Sequence, residues 1–384
     1  MMSWRVPLAD VNFGPEEEAA VAEVIRSGWL SMGAVTQAFE ADFAAFVDVK
    51  HALAVTNATA ALHMACLACG LGPGDEVVLP ALTFVASANA VRYTGAQPVF
   101  ADIESEDWLN VSPASIEAAI TPRTKAIMVV HYAGYACDMP AIMEIARAHN
   151  LMVIEDAAHA VGATLEGRHL GTWGEIGCYS FFANKNMTTA EGGMLVTDDD
   201  ALAERLRVLR SHGMTTLTWD RHQGHASTYD VVDLGYNYRI DELRSALGHV
   251  QLAKVGAGNQ RRGELVTRYR QLLADQAPGI TVPFSEVRGA SSYHIMPVLL
   301  PVVTDKLAFM DRMKAHGIQT SWHYPPVHTF SAYANVWQAQ GRTLPLTEAV
   351  AAREVTLPLF PTMTDEQLAW VVESVEGSLQ TEDG

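Results

Sequence analysis

Lys185 sits in "SFFANKNMTTAEGG", residues 180–193, among small, aromatic and amide side chains, with Glu191 the nearest acid inside that run. The other five lysines, Lys50, Lys125, Lys254, Lys306 and Lys314, fall in loop, helix-end or amphipathic patterns that suit a solvated charge. Lys185 alone follows an apolar run and precedes a glycine-containing turn. A desolvated lysine has a lowered pKa, and its neutral amine attacks carbonyls. Past a second apolar run, "LMVIE", stand Asp156 and His159. An aspartate there is either a helix cap or the partner of a buried cation. Past a third run, "HALAV", Thr56-Asn57-Ala58-Thr59 opens a helix, which makes either an ordinary cap or a phosphate cradle of N–H groups. Phe84, in "ALTFVASAN", either packs in the core or stacks on a flat ligand. Each feature alone is ordinary. Together, amine, acid and anion cradle match what pyridoxal 5′-phosphate requires: a Schiff-base amine, a partner for its pyridinium nitrogen and an anchor for its phosphate.

The elements that must position these groups alternate. "HALAVTN", "DEVVLP", "QPVFADI", "KAIMVVHYAG", "LMVIEDAA", "GCYSFF" and "GMLVTD" read as strands. Helical patterns such as "ATAALHMACLACG", "FVASANAVRYTG" and "DMPAIMEIARAHN" lie between several of them. Strands apolar throughout, alternating with helices, predict a mostly parallel sheet covered on both faces, an α/β fold in three layers. In such sheets ligands gather at the carboxyl ends of the strands, where all of the residues above lie. We expect an N-terminal helical segment over 1–50, a large domain over 51–240 and a smaller α+β domain over 241–384. "RIDELRSALGHVQLAKV", onward to about residue 275, reads as a long helix that leads into the last of these. There "ITVPF", "SYHIMPVLLP" and "GIQTSWHYPP" read as strands.

The chain of 384 residues carries a formal charge of −18, which disfavours nucleic acid and anionic membrane surfaces as partners but not a phosphate held by local N–H groups. No apolar signal core and no membrane-length apolar run occurs, so a soluble cytoplasmic protein is expected. Cys66 and Cys69 have redox or zinc spacing, yet they lie in a helical pattern with no second pair and read as small apolar helix residues. No metal is expected. No G-x-G-x-x-G follows a strand, and no G-x-x-x-x-G-K-[ST] occurs.

"SGWLSMG", "TNATAALHMA", "GPGDEVVLPALTFVASANAV", "VIEDAAHAVGA", "GCYSFFANKNMTTAEGGMLVT", "RSHGM", "LGYNYRIDELRSALG" and "HYPPVH" resemble, in order and spacing, the DegT/DnrJ/StrS-type sugar aminotransferases. The resemblance runs from about residue 10 to "LPLFPTMTDEQL". It implies a fold-type-I, aspartate-aminotransferase-like homodimer acting on nucleotide-linked keto-sugars, with L-glutamate as amino donor. By position it makes Lys185 the Schiff-base lysine and general base, Asp156 the partner of the pyridine nitrogen and His159 the partner of the cofactor's 3′-oxygen. Ala58, Thr59 and Ser180 match phosphate-binding positions, and Phe84 matches the ring-stacking aromatic. Asn237 matches a residue that reaches the phosphate from the other subunit. Trp29, Ser31, His323 and Tyr324 fall in substrate-side loops. The family often has glycine at Ala58 and Ala190, so the phosphate loop or the turn after Lys185 is expected to differ.

"FFANKNMTTAEGGM" is closer to the C4-aminating branch than to C3-aminating members, which favours a dTDP- or GDP-4-keto-6-deoxyhexose. A 3-keto-sugar aminotransferase and a cofactor-binding sensor without turnover are the alternatives. A dehydratase of the same fold would have histidine at the lysine position.

Overall fold

The computed structural model describes residues 4–216 and 228–379. The first strands are β1 (His51–Val55), β2 (Glu76–Pro80), β3 (Gln97–Ala101), β4 (Thr124–Val130) and β5 (Met152–Asp156). A short hairpin, β6 (Thr164–Leu165) and β7 (Arg168–His169), precedes β8 (Ile176–Ser180) and β9 (Gly193–Thr197). Seven of these form one sheet in the order β1-β9-β8-β5-β4-β2-β3. Pairing is parallel from β3 to β8, while β9 runs antiparallel between β8 and β1. Each of the seven runs expected to be a strand is one.

Alternation along the strands decides which way the polar ends point. In β8, Tyr179 and the following Phe181 pack on one face, with ring centroids 5.0 Å (Phe43–Tyr179) and 5.6 Å (Phe43–Phe181) apart. Ile176 and Cys178 enter the core on the other face, beside the helix Ala58–Ala68. Ser180 therefore shares that second face. Losing a ring such as Phe181 costs about 3–5 kcal/mol in a core that cannot collapse around the gap. In β5 the same rule sends Asp156 to the face of Ile154, and Glu155 to the face of Val153. Glu155 is fully buried there and accepts N–H bonds from Gly171 and Gly174, both 2.7 Å, beside His131 at 2.9 Å.

A helix of 35 residues, Glu242–Gln276, follows, capped by Asp241, whose carboxylate accepts from the Arg244 N–H at 2.9 Å. Its first half packs in the core of the sheet through Leu252 and Val255, and its second half in another core through Leu265, Tyr269 and Leu273. Val6 joins that second core and bridges to Ile318. The only strands among the described residues there are β10 (Met296–Leu299) and β11 (Glu354–Leu357), which pair antiparallel.

This corrects two expectations. "ITVPF" and "GIQTSWHYPP" are not strands; each makes isolated bridges, at Thr281 in the first and at Ile318 and Ser321 in the second. Side chains capture the backbone that would have built a ladder. The Arg270 guanidinium donates to the carbonyls of Val282, Pro283 and Phe284, and Pro283 has no N–H to offer. The N–H of His323 donates to Glu354 Oε2 at 2.9 Å, and its carbonyl accepts from the Tyr132 hydroxyl. The strand "EVTL" at 354–357 was not anticipated.

Cys66 is buried within its helix and Cys69 ends it, and all four cysteines are free. Among the described residues no group of three or more His, Cys, Asp or Glu is arranged to hold a metal, and no helix is long and apolar enough to cross a membrane.

Candidate active site

A cavity of about 440 Å³ opens at the carboxyl edge of the parallel strands, lined mainly by residues at or just past the ends of β1, β2, β4, β5 and β8. It brings together Ala58, Thr59, Phe84, Asp156, His159, Ser180, Lys185, His323 and Tyr324. The remaining three expected residues lie elsewhere. Ser31 is exposed and bridges to Asp241, half-buried Trp29 is two residues before it, and exposed Asn237 bridges to Ser211. None of the three lines this cavity. An Asn237 that serves a second subunit's site would stand outside its own.

Asn57 caps the helix that starts at Ala58: its Oδ1 accepts from the Ala60 N–H at 2.8 Å, and its carbonyl from Ala61 at 3.2 Å. The first two N–H groups, of Ala58 and Thr59, then point off the helix end into the cavity, the arrangement that favours an anion. Gly193 makes the approach possible, because a Cβ there would lie 2.8 Å from the Ala58 nitrogen and 2.6 Å from the Asn57 carbonyl carbon. Ala58 is an ordinary first helical residue, so the missing glycine changes nothing at that point. At Ala190 it does matter: this alanine takes a left-handed φ of 66°.

Asp156 is held from both sides. The Ser87 hydroxyl donates to Oδ2 at 2.7 Å and the Ala158 N–H to Oδ1 at 3.2 Å. Burial raises its pKa, opposed by those bonds and by the charges of Lys185 and His131. Burial likewise pushes the Lys185 amine down to about 8, against the pull of Asp156. The amine is therefore substantially neutral slightly above neutral pH, which a surface lysine is not.

His159 accepts the Ala133 N–H at Nδ1, 3.2 Å, so its proton sits on Nε2 and is directed at the Tyr324 hydroxyl, 3.0 Å away. Burial, then the charge of Lys185, holds its pKa well below the usual range, and the ring is neutral. Phe84 stands at the cavity with 55% of its surface exposed, its ring centroid 5.7 Å from that of Tyr324. An aromatic so exposed at the mouth of a cavity can stack on a planar ligand.

Residues 12–376 match the DegT/DnrJ/EryC1/StrS aminotransferase family. The chain belongs to it. It is 43% identical over 370 residues to the spore coat polysaccharide biosynthesis protein SpsC of Bacillus subtilis, covering 94% of each chain. The aminotransferase TlmJ from Streptoalloteichus hindustanus superposes with a TM-score of 0.90 at 35% identity, over 97% of this chain and 98% of that one. The pyridoxal-phosphate form of the sugar aminotransferase Spr1654 from Streptococcus pneumoniae gives 0.88 at 27% identity, over 97% and 98%. The protein is thus a sugar aminotransferase dependent on pyridoxal 5′-phosphate.

The residues of this aminotransferase fit that cofactor: two free helix N–H groups beside a serine hydroxyl suit its phosphate, the doubly held carboxylate suits its ring nitrogen, and the low-pKa amine suits its aldehyde. Sequence reasoning missed Ser87, which orients Asp156, and His294, which contacts Lys185 at 3.4 Å. It also missed Glu354, buried behind His323. Ser87 was legible in principle, four residues after Thr83, with which it exchanges a 2.9 Å bond. Nothing in "SSYHIMPV" marks His294.

Proposed function

We propose that the enzyme moves an amino group from L-glutamate to a nucleotide-linked 4-keto-6-deoxyhexose, dTDP- or GDP-linked, giving a 4-amino sugar for a polysaccharide or glycoside. The observation that carries the chemistry is the Lys185 amine, tuned to about 8, in one cavity with Asp156 and the N-terminus of the helix Ala58–Ala68. Preference for C4 rests on the stretch "FFANKNMTTAEGGM". A relative named for spore coat polysaccharide biosynthesis supports a polysaccharide product.

In this reading the N–H groups of Ala58 and Thr59, with Ser180, would hold the phosphate, Phe84 would stack on the ring, and Asp156 would pair with the ring nitrogen. The bound cofactor supplies an electron sink for the carbanion formed at the donor's α-carbon. Lys185 would hold the cofactor through its amine and, with that amine free, would be the base that moves a proton at the donor's α-carbon. His159, neutral with its proton on Nε2, donates to an oxygen and does not compete as a base. His323 and Tyr324 face the sugar, with Trp29 and Ser31 on a substrate-side loop. Asn237 reaches the phosphate of a second copy, so we read the active unit as a cytoplasmic homodimer with shared sites. We place its cofactor-binding domain at residues 51–240, joined by the first half of the helix Glu242–Gln276, whose second half opens the small domain.

The test begins with the purified protein supplied with pyridoxal 5′-phosphate. A visible absorption band should form and move to the near ultraviolet when glutamate is added. Lys185→Ala should lose both the band and turnover, by at least about 10³-fold. A variant that still turns over normally would sink the assignment. Nucleotide keto-sugars are then screened, and product from 3-keto sugars alone would overturn the C4 choice.

A further inference from the structure

We infer that His294 positions the Lys185 amine, as the last member of a partly buried relay that begins at the backbone carbonyl of Val161. The inference deepens the reading of Lys185 as the reactive amine and rests on it. Each step is fixed by the one before. Asn259, on the long helix, donates its Nδ2 to the Val161 carbonyl at 2.8 Å, which turns its Oδ1 toward Asn186. The Asn186 amide nitrogen donates to that Oδ1 at 2.7 Å and to the Ser292 carbonyl at 2.6 Å. Both partners are pure acceptors, so the amide cannot be flipped. Asn186 Oδ1 is left facing His294 Nδ1 at 2.9 Å, and an oxygen there requires a proton on Nδ1. A neutral imidazole protonated on Nδ1 carries its lone pair on Nε2, and Nε2 is the atom that faces Lys185 Nζ, 3.4 Å away.

The ring is kept neutral. It is buried, it lies 4.3 Å from the His159 ring, and Arg262 stands behind it with Nη1 on the carbonyls of His294 (3.2 Å) and Leu359 (2.9 Å). Burial and the charges of Lys185 and Arg262 all push its pKa down. The amine is thus offered an acceptor that cannot become a cation beside it. The other titratable groups facing the amine are Asp156, which attracts its charge, and the buried rings of His159 and His323. His294 gives the protonated lysine a defined resting direction, which neither of those rings supplies. It acts on the reaction only through the direction it gives Lys185 Nζ, and is a positioning residue.

The test reads the amine itself and does not depend on turnover. Full-length protein freed of cofactor is acetylated with acetic anhydride across a pH series, and Lys185 modification is quantified by peptide mass spectrometry. Wild type should show a midpoint at about 8. His294→Leu removes the acceptor that favours the charged form and should lower the midpoint by about one pH unit. His294→Gln, whose amide oxygen can accept, should recover most of that shift. Asn186→Ala frees the ring to turn and should shift the midpoint the same way by less. If His294→Leu fails to fold, the comparison of wild type, His294→Gln and Asn186→Ala decides. Unchanged midpoints in Asn186→Ala and in whichever His294 variants fold overturn the inference. A shifted midpoint in a protein that never develops the visible band keeps it and sinks the proposed function instead.

Discussion

The cavity has two walls of different construction. One is the sheet edge, where Ala58, Thr59, Phe84, Asp156, His159, Ser180 and Lys185 each follow a strand, at or soon after its carboxyl end. The other is the loop wall of His323 and Tyr324, backed by Glu354, where side chains take the backbone hydrogen bonds that a sheet would otherwise make. The first wall is positioned by strand alternation, and the polar groups buried behind it, Glu155, His131 and Ser87, are hydrogen-bonded. The second is positioned by a buried carboxyl group, Glu354, that burial holds in its protonated form up to about pH 8. The loop wall is therefore the one whose stability changes with pH near neutrality.

That contrast can be broken in order of size. Asp156→Asn leaves the shape of the sheet wall but removes its charge, and should lower kcat about 10²–10³-fold with little change in melting temperature. Equal loss of stability and rate would mean that Asp156 is structural. Tyr324→Phe on the loop wall deletes the hydroxyl that accepts the His159 proton. We expect about a tenfold fall in kcat/KM for the sugar, with the half-reaction with glutamate less affected.

Glu354 tests the stability side. Burial pushes its carboxyl from the ordinary 4.5 up to about 8, against bonds from Thr356 and the His323 N–H. Between those two values the native state holds a proton that the unfolded chain has released, so raising the pH through that window favours unfolding. Glu354→Gln should flatten the decline of melting temperature from pH 5 to pH 8, since its amide has no proton to lose over about that range. An unchanged slope would place the titration elsewhere.

The smallest effect is on the sheet wall. Ala190→Gly relieves a left-handed φ of 66° and should stabilise by about 0.5–1 kcal/mol, read by denaturant midpoint, without changing turnover.

The same contrast explains what could be read in advance. Lys185, Asp156 and the helix cap at Asn57 are each a polar residue shortly after an apolar run, and a covered parallel sheet leaves one place for such residues to meet. "ITVPF" and "GIQTSWHYPP" have strand composition, and periodicity cannot tell that Arg270 and Glu354 will bind their backbones first. Lys185 shows the limit most clearly. Its nearest acid along the chain is Glu191, six residues on, yet in space Asp156 pulls on it and His294, 109 residues away, meets it. Isolation along the chain described its desolvation correctly and its company not at all.

The helix Glu242–Gln276, roughly 50 Å long at 1.5 Å per residue, gives the molecule a common ruler. Its early turns accept the Gly33 and Thr36 N–H groups at Glu242, Asn259 sets the orientation of Asn186, and Arg262 ties down the strand entry at His294. Because all of these marks lie on one rigid scale, a residue gained or lost between Glu242 and Asn259 would turn the later marks by about 100° relative to the earlier ones. The spacing of that segment is therefore a tolerance that any chimera with another member of the family has to respect, even when every cavity residue is kept.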